Sequence, residues 1–284
     1  MTTVTAPPEA DWVDNSAPTG RQPALRFAEL WQHRELVWFF AVRDVKVRYK
    51  QAFLGAAWAV IQPLVGAATF TLLFHELAGV EVGGSSYFAF ALVGYAVWTY
   101  VSSSVTAGSG SLLYNSDLLT KVAFPRIVAP ASALLPGLID LALSTVIAVI
   151  VGLAAGGGFS PLGFAVGLMP GLALLMVAVT GPVLFLSAAV VRYRDVNALL
   201  GFGLQVALFA APIAYPVELV PDTWRTLIYV NPVTGVVGLL RAALIGSPLP
   251  PATGVAISAA VAGAVLLLGA NHFRRREREF ADII

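Results

Sequence analysis

The sequence predicts an all-α integral membrane protein with six transmembrane helices, an N-terminal amphipathic interfacial helix and a pair of outer re-entrant helices before the last span. Three observations predict it. Of the 284 residues, 58% are hydrophobic and 12% charged, with a mean hydropathy of +0.80, whereas soluble domains carry about 25% charged residues. Six apolar stretches reach the length of about 20 residues that a hydrocarbon core of about 30 Å requires of a helix. Most of the 17 Lys and Arg residues cluster in patches at 43–50, 121–126, 192–194 and 274–278, between those stretches, and connections rich in Lys and Arg stay on the cytoplasmic side.

Taken in order, residues 1–24 are acidic, rich in Pro and Thr and without an apolar run; they read as a disordered cytoplasmic tail rather than a signal peptide. Residues 25–50 form the interfacial and basic segment. Leu25 to Phe40 mixes Phe27, Leu30, Trp31, Val37 and Trp38 with Arg26, Glu29, Arg34 and Glu35, so aromatic rings can sit at headgroup depth while the charges stay in water. The same pattern also suits a helix packed on a partner, and both can hold at once. Residues 51–284 form the six-span domain, with spans near Gly55 to Leu77, Tyr87 to Gly108, Ile127 to Ala155, Leu162 to Val191, Val196 to Val217 and Ala252 to His272.

The third and fourth stretches exceed one perpendicular crossing, which implies tilt or an interfacial first turn. Pro63, Pro130, Pro136, Pro170, Pro182 and Pro212 interrupt the spans, each removing a helical N–H; they are packing kinks or gating hinges. Glu218 to Pro248 is cut by Pro221, Asn231-Pro232 and Gly235. It suits two short helices dipping into the outer leaflet, because a seventh crossing would export the Arg-rich C-terminus. With six spans, the charge bias puts both termini inside.

The chemistry of the chain excludes several classes. Without cysteine it has neither disulfides nor thiolate-held metals. A phosphate-binding loop needs Gly-Lys at its end, yet Lys46, Lys50 and Lys121 follow Val, Tyr and Thr, so the chain is no P-loop ATPase. His33, His75 and His272 lack a metal-ligand spacing. The small-residue run Ser102 to Ser111 has no base nearby and reads as a close-packing surface. Asp140 falls inside the third span; such an acid lines a wet path or pairs with a polar partner, or else, protonated or hydrogen-bonded, holds two helices together.

These motifs carry a resemblance. RDVKVRYKQAFLGAAWAVIQPL (Arg43 to Leu64) resembles the opening signature of the membrane subunit of polysaccharide-exporting ABC transporters, the O-antigen and teichoic-acid export permeases. NSDLLTKVAFPRIVAP (Asn115 to Pro130) is similar to the family's cytoplasmic coupling segment, RYRDV (Arg192 to Val196) to its loop between spans four and five, and YVNPVTGVVGLLRAAL (Tyr229 to Leu244) to its outer helical segment. The likeness extends over roughly residues 25 to 275.

The resemblance implies a permease subunit in the bacterial inner membrane that moves a polyprenyl-diphosphate-linked polysaccharide. It implies a homodimer served by two copies of a separate ATPase subunit that carries the ATP and Mg, so that this chain itself holds no cofactor and performs no catalysis. Membrane lipid and the glycan complete its partners, with no nucleic acid among them. By analogy, Arg43, Lys46, Arg48 and Lys50 stand where a diphosphate would enter, or act only as the positive-inside anchor. Asp117, Leu118, Leu119, Lys121, Val122, Phe124 and Arg126 would meet the ATPase. Sugar rings need aromatic faces, and Tyr95, Trp98, Tyr100, Phe202, Phe209 and Tyr215, with Asp140, are the candidates for a glycan conduit. The competing expectations are an ABC exporter of a drug or small lipid, an ion-coupled secondary transporter, and a membrane enzyme acting on polyprenyl lipids.

Overall fold

The computed structural model describes residues 27–50, 57–83, 86–121, 124–156, 161–193 and 195–277. The tail at 1–24, Gly55 at the start of the first expected span and Val122 of the coupling segment lie outside them. Among the described residues every regular element is helical: α1 (Phe27–Gln32), α2 (Arg34–Lys50), α3 (Trp58–Phe70) continuing as a π-helix through Thr71–Leu77, α4 (Tyr87–Tyr114), α5 (Ser116–Lys121), α6 (Val128–Ser132), α7 (Pro136–Ala154), α8 (Pro161–Arg192), α9 (Val196–Ala210), a 3-10 turn at Val217–Leu219, α10 (Asp222–Ile228), α11 (Pro232–Ile245) and α12 (Ala252–Arg276).

Among the described residues, five stretches are long and apolar enough to cross a bilayer: Trp58–Leu77, Tyr87–Tyr114, Val128–Ala154, Pro161–Arg192 and Ala252–Arg276. The expected third span is therefore one stretch broken between α6 and α7, where Pro136 starts the second helix. Proline at the first position loses no hydrogen bond that the helix would have made.

Of the expected fifth span, Val196 to Val217, only the first part is α-helical. Its helix α9 stops at Ala210, and Ala211 is extended at φ −102° and ψ 144°. Pro212 causes the stop, since its ring disfavours helical backbone in the residue before it. At 15 residues, α9 is only about 22 Å long, short of a full crossing. The apolar composition continues beyond the helix; the hydrogen-bonded ladder does not.

The α10 and α11 helices follow, bent by 95° to each other. Local sequence chemistry sets both ends of α11. Asn231 caps α11 by accepting from the Val233 N–H at 3.1 Å, with Pro232 in the first turn. At the other end Gly246 closes the helix at φ 68° and ψ 18°, a left-handed conformation that glycine adopts without a Cβ penalty.

Packing centres on α4 and α8. The α4 helix is mostly buried and packs against α3, α7, α8 and α11, while α8 carries α11 and α12 on its remaining sides. Without a hydrophobic drive between helices in lipid, close approach of small residues supplies the attraction. Gly167 and Gly171 of α8 face α11, where a Cβ on Gly167 would stand 2.5 Å from the Leu239 carbonyl oxygen. Gly108 in the small-residue run of α4 meets Val183 in the same way. By contrast α3 is largely unburied and α9 buries no residue at all against the rest of the described chain.

Candidate functional site

The basic residues of the predicted entrance lie on the second half of α2, which packs against α6 and α7. One side of this helix is buried through Phe40 and Ala41, while Trp38 and Phe39 are exposed, as is Trp31 of α1. Exposed rings of this size beside exposed charges give the helix the composition of a membrane interface.

The four bases are not equivalent. Arg43 is held by its neighbour Asp44, with Nη2 to Oδ1 at 2.7 Å. Arg48 pairs with Asp140 of α7, Nη1 to Oδ2 at 2.7 Å. Lys46 and Lys50 are exposed and form no ion pair with another described residue. The structure thus brings the predicted entrance and the predicted intramembrane acid together, pairing Asp140 of α7 with Arg48 of α2.

Asp140 is the better buried member of its pair. Its side chain is 16% exposed against 35% for Arg48. Tyr49, which sequence reasoning passed over, donates its hydroxyl to the other carboxylate oxygen. Burial pushes the Tyr49 phenol up to about 12, and the hydrogen bond to Asp140 and its negative charge add to that rise, so at neutral pH Tyr49 is a donor only to this acid. Ser144, one turn on, donates to the Asp140 backbone carbonyl at 2.8 Å.

The coupling segment adjoins the same helix. Phe124 meets Phe40 of α2 edge-on, with centroids 5.6 Å apart. The Arg43 guanidinium lies 4.9 Å from the Phe40 ring and 5.6 Å from that of Tyr114, at the end of α4 just before α5. Arg126 donates to the Glu277 carbonyl beyond α12, joining the segment to the C-terminal helix. Asp117 and Leu118 are exposed on α5; the side chains of Leu119 and Lys121, like Val122, lie outside the described set. Phe40, Tyr114 and Glu277 were not singled out in the sequence, because their partners are distant along the chain.

The conduit candidates divide. Trp98 and Tyr100 are 7% and 1% exposed, and Tyr100 donates to the Leu134 carbonyl at 3.2 Å; both face the interior of the chain's own helical bundle. Tyr95 is half-buried over Gly66 and packs edge-on against Phe70 at 5.7 Å. Phe202 and Phe209 stand out from α9 at 69% and 64% exposure, and Tyr215 donates to the Phe209 carbonyl at 3.3 Å.

A second polar centre, absent from the sequence reading, lies behind the broken end of α9. The buried Arg241 of α11 donates to the carbonyls of Pro212 (2.8 Å), Ile213 (2.6 Å) and Phe90 (3.2 Å), and its guanidinium lies 3.3 Å from the centroid of the Phe90 ring. Tyr87 donates to the next carbonyl, that of Ala214. The carbonyls of the non-helical stretch that follows α9 are thereby satisfied, as buried carbonyls require.

Residues 35–245 match the model of the ABC-2 type transporter family. The chain is 30% identical over 259 residues to the O-antigen export system permease protein RfbA of Myxococcus xanthus, covering 90% of this chain and 98% of that one. It is 28% identical over 197 residues to the protein of the same name from Klebsiella pneumoniae, covering 69% and 74% of the two chains.

Proposed function

The chain belongs to the ABC-2 type transporter membrane family, and from that premise we propose that it is the permease of a bacterial inner-membrane exporter for polyprenyl-diphosphate-linked polysaccharide. Two copies act with two ATPase subunits that bind ATP and Mg. Both termini are cytoplasmic, α9 with the stretch clamped by Arg241 makes the fifth crossing, and α10 and α11 dip back from the outer side. The names of the two relatives support the cargo, and the charge bias of the patches supports the orientation.

The observation that carries the mechanism is the continuity of the Phe124, Phe40 and Arg43 contacts. A push on the segment around Asp117, Leu118, Leu119, Lys121, Val122, Phe124 and Arg126 reaches α2 through these rings, and α2 presents Lys46, Arg48 and Lys50 to a headgroup. The unburied surfaces of α3 and α9, with Phe202, Phe209 and Tyr95 at hand, supply the wall of a conduit completed by a second copy. Aromatic faces suit sugar rings because stacking tolerates sliding.

The test is reconstitution. The permease alone in vesicles hydrolyses no ATP and moves no glycan; with its ATPase it does both, and a substitution of the ATPase's phosphate-binding lysine stops transport. Glycan movement driven by an ion gradient without nucleotide or partner would instead make the chain a secondary transporter.

A further inference from the structure

We propose that Asp140 is a selectivity residue of the entrance, a built-in competitor that keeps Arg48 from binding the singly charged phosphodiesters of the surrounding bilayer and releases it to a diphosphate headgroup. The inference rests on the proposed function, which supplies the diphosphate lipid. Two of the four entrance cations, Lys46 and Lys50, are open to any anion at the interface. Arg48 has the planar fork that grips a phosphate with two parallel hydrogen bonds, yet its Nη1 is already bound to Asp140 at 2.7 Å.

The exchange is unequal for the two kinds of lipid. A phosphodiester offers Arg48 one negative charge, the same that Asp140 offers, and by taking it leaves a mostly buried carboxylate without its cation. Nothing is gained in charge. A diphosphate brings more than one negative charge and a second phosphoryl group that reaches the neighbouring lysines, so it offsets the loss. When Arg48 leaves, the Tyr49 hydroxyl remains on the carboxylate, which keeps the vacated acid hydrogen-bonded. Specificity here comes from the cost imposed on the wrong ligand. Bilayer phosphodiesters vastly outnumber any cargo lipid, so an unguarded Arg48 at this depth would be occupied by them.

The experiment uses the complete assembly of permease and ATPase in phosphatidylethanolamine vesicles, with a polyprenyl diphosphate titrated in and ATP hydrolysis as the readout. Phosphatidylglycerol is then added to the vesicles as the competing phosphodiester of net single negative charge, in contrast to phosphatidylethanolamine, whose ammonium group balances its own phosphate. In the wild type the half-stimulating concentration of the diphosphate changes little with phosphatidylglycerol. In Asp140→Asn it rises by about tenfold, the equivalent of about 1.4 kcal/mol, while without phosphatidylglycerol it falls. Asp140→Glu retains the wild-type resistance. Tyr49→Phe makes release of Arg48 harder, so the diphosphate is needed at higher concentration with or without phosphatidylglycerol.

Equal sensitivity of wild type and Asp140→Asn to phosphatidylglycerol overturns the inference while leaving the functional reading intact, as does a Tyr49→Phe protein that responds at lower diphosphate concentration. A wild-type assembly that never responds to the diphosphate overturns the functional reading, and this inference with it.

Discussion

Gly94 of α4 has no room for a side chain, because a Cβ there would stand 2.6 Å from Nη2 of Arg241 and 2.8 Å from the carbonyl oxygen of Ile213. The bare backbone at 94 is what lets α11 deliver a buried guanidinium to the end of α9. Replacing Arg241 with Met removes three donated hydrogen bonds at once and strands the Pro212 and Ile213 carbonyls, while the Phe90 carbonyl keeps its place in the α4 ladder. Each buried acceptor left bare costs roughly 1–3 kcal/mol, so Arg241→Met destabilises the purified permease by at least about 2 kcal/mol. Gly94→Ala weakens the same clamp by collision. Denaturation in detergent measures both, and an Arg241→Met protein as stable as wild type would show that the clamp carries no weight.

Two glycines on α12 offer an internally controlled comparison. A Cβ on Gly269 would run into the Gly181 carbonyl of α8, while one on Gly263 would meet nothing within 4 Å. Both positions lie inside the helix Ala252–Arg276. Overpacking costs about 1–3 kcal/mol, whereas alanine in an open helical position gains up to about 1 kcal/mol over glycine. Gly269→Ala therefore lowers the unfolding midpoint and Gly263→Ala leaves it equal or higher. The reverse order would rule out the α8–α12 approach.

The long helices were legible because length and hydropathy define them: α4, α8 and α12 fall where the apolar stretches predicted spans. The α10–α11 bend was legible in Asn231-Pro232, whose local chemistry stops one helix and caps the next. Hydropathy gave no warning that α9 ends early, since residues 211–217 stay mostly apolar while Pro212 breaks the ladder. It also failed to separate Trp98 and Tyr100 from Phe202 and Phe209. In a membrane protein both the core and the outer surface are apolar, so composition does not say which face a ring occupies. Arg48 and Asp140 were each singled out, but their pairing spans 92 positions and no periodicity connects them.

Tyr49 gives the structure a signature in alkaline solution. Its phenol is raised from about 10 to about 12, first by burial and then by Asp140. A group whose folded value lies above its unfolded one favours folding while it is protonated. Its contribution is therefore complete below pH 10 and disappears as pH rises from 10 to 12. The stability difference between wild type and Tyr49→Phe stays constant from pH 7 to about 9.5 and shrinks above it. Unfolding midpoints for the two proteins across that range decide the matter, and a difference that grows with alkalinity would contradict the hydrogen bond to Asp140.

The contact between Phe124 and Phe40 is suited to transmitting force without holding up the fold. An edge-on aromatic pair contributes about 0.5–1.5 kcal/mol beyond the area it buries, too little for its loss to unfold a helical bundle of this size. A loss of about 1.4 kcal/mol at a mechanical link nonetheless shifts an equilibrium tenfold. Phe124→Asp also adds a charge beside the ring of Phe40, and it is expected to leave ATP hydrolysis by the assembly running while glycan export falls about tenfold at unchanged membrane levels. Phe40→Ala should reproduce the defect from the other side of the contact. Because both substitutions cut one link, the double variant is no worse than the more impaired single one, as sites in direct contact behave. Export and hydrolysis measured in the same vesicles separate uncoupling from collapse. Full export by Phe124→Asp, or defects that multiply in the double variant, would mean that the force travels by another route.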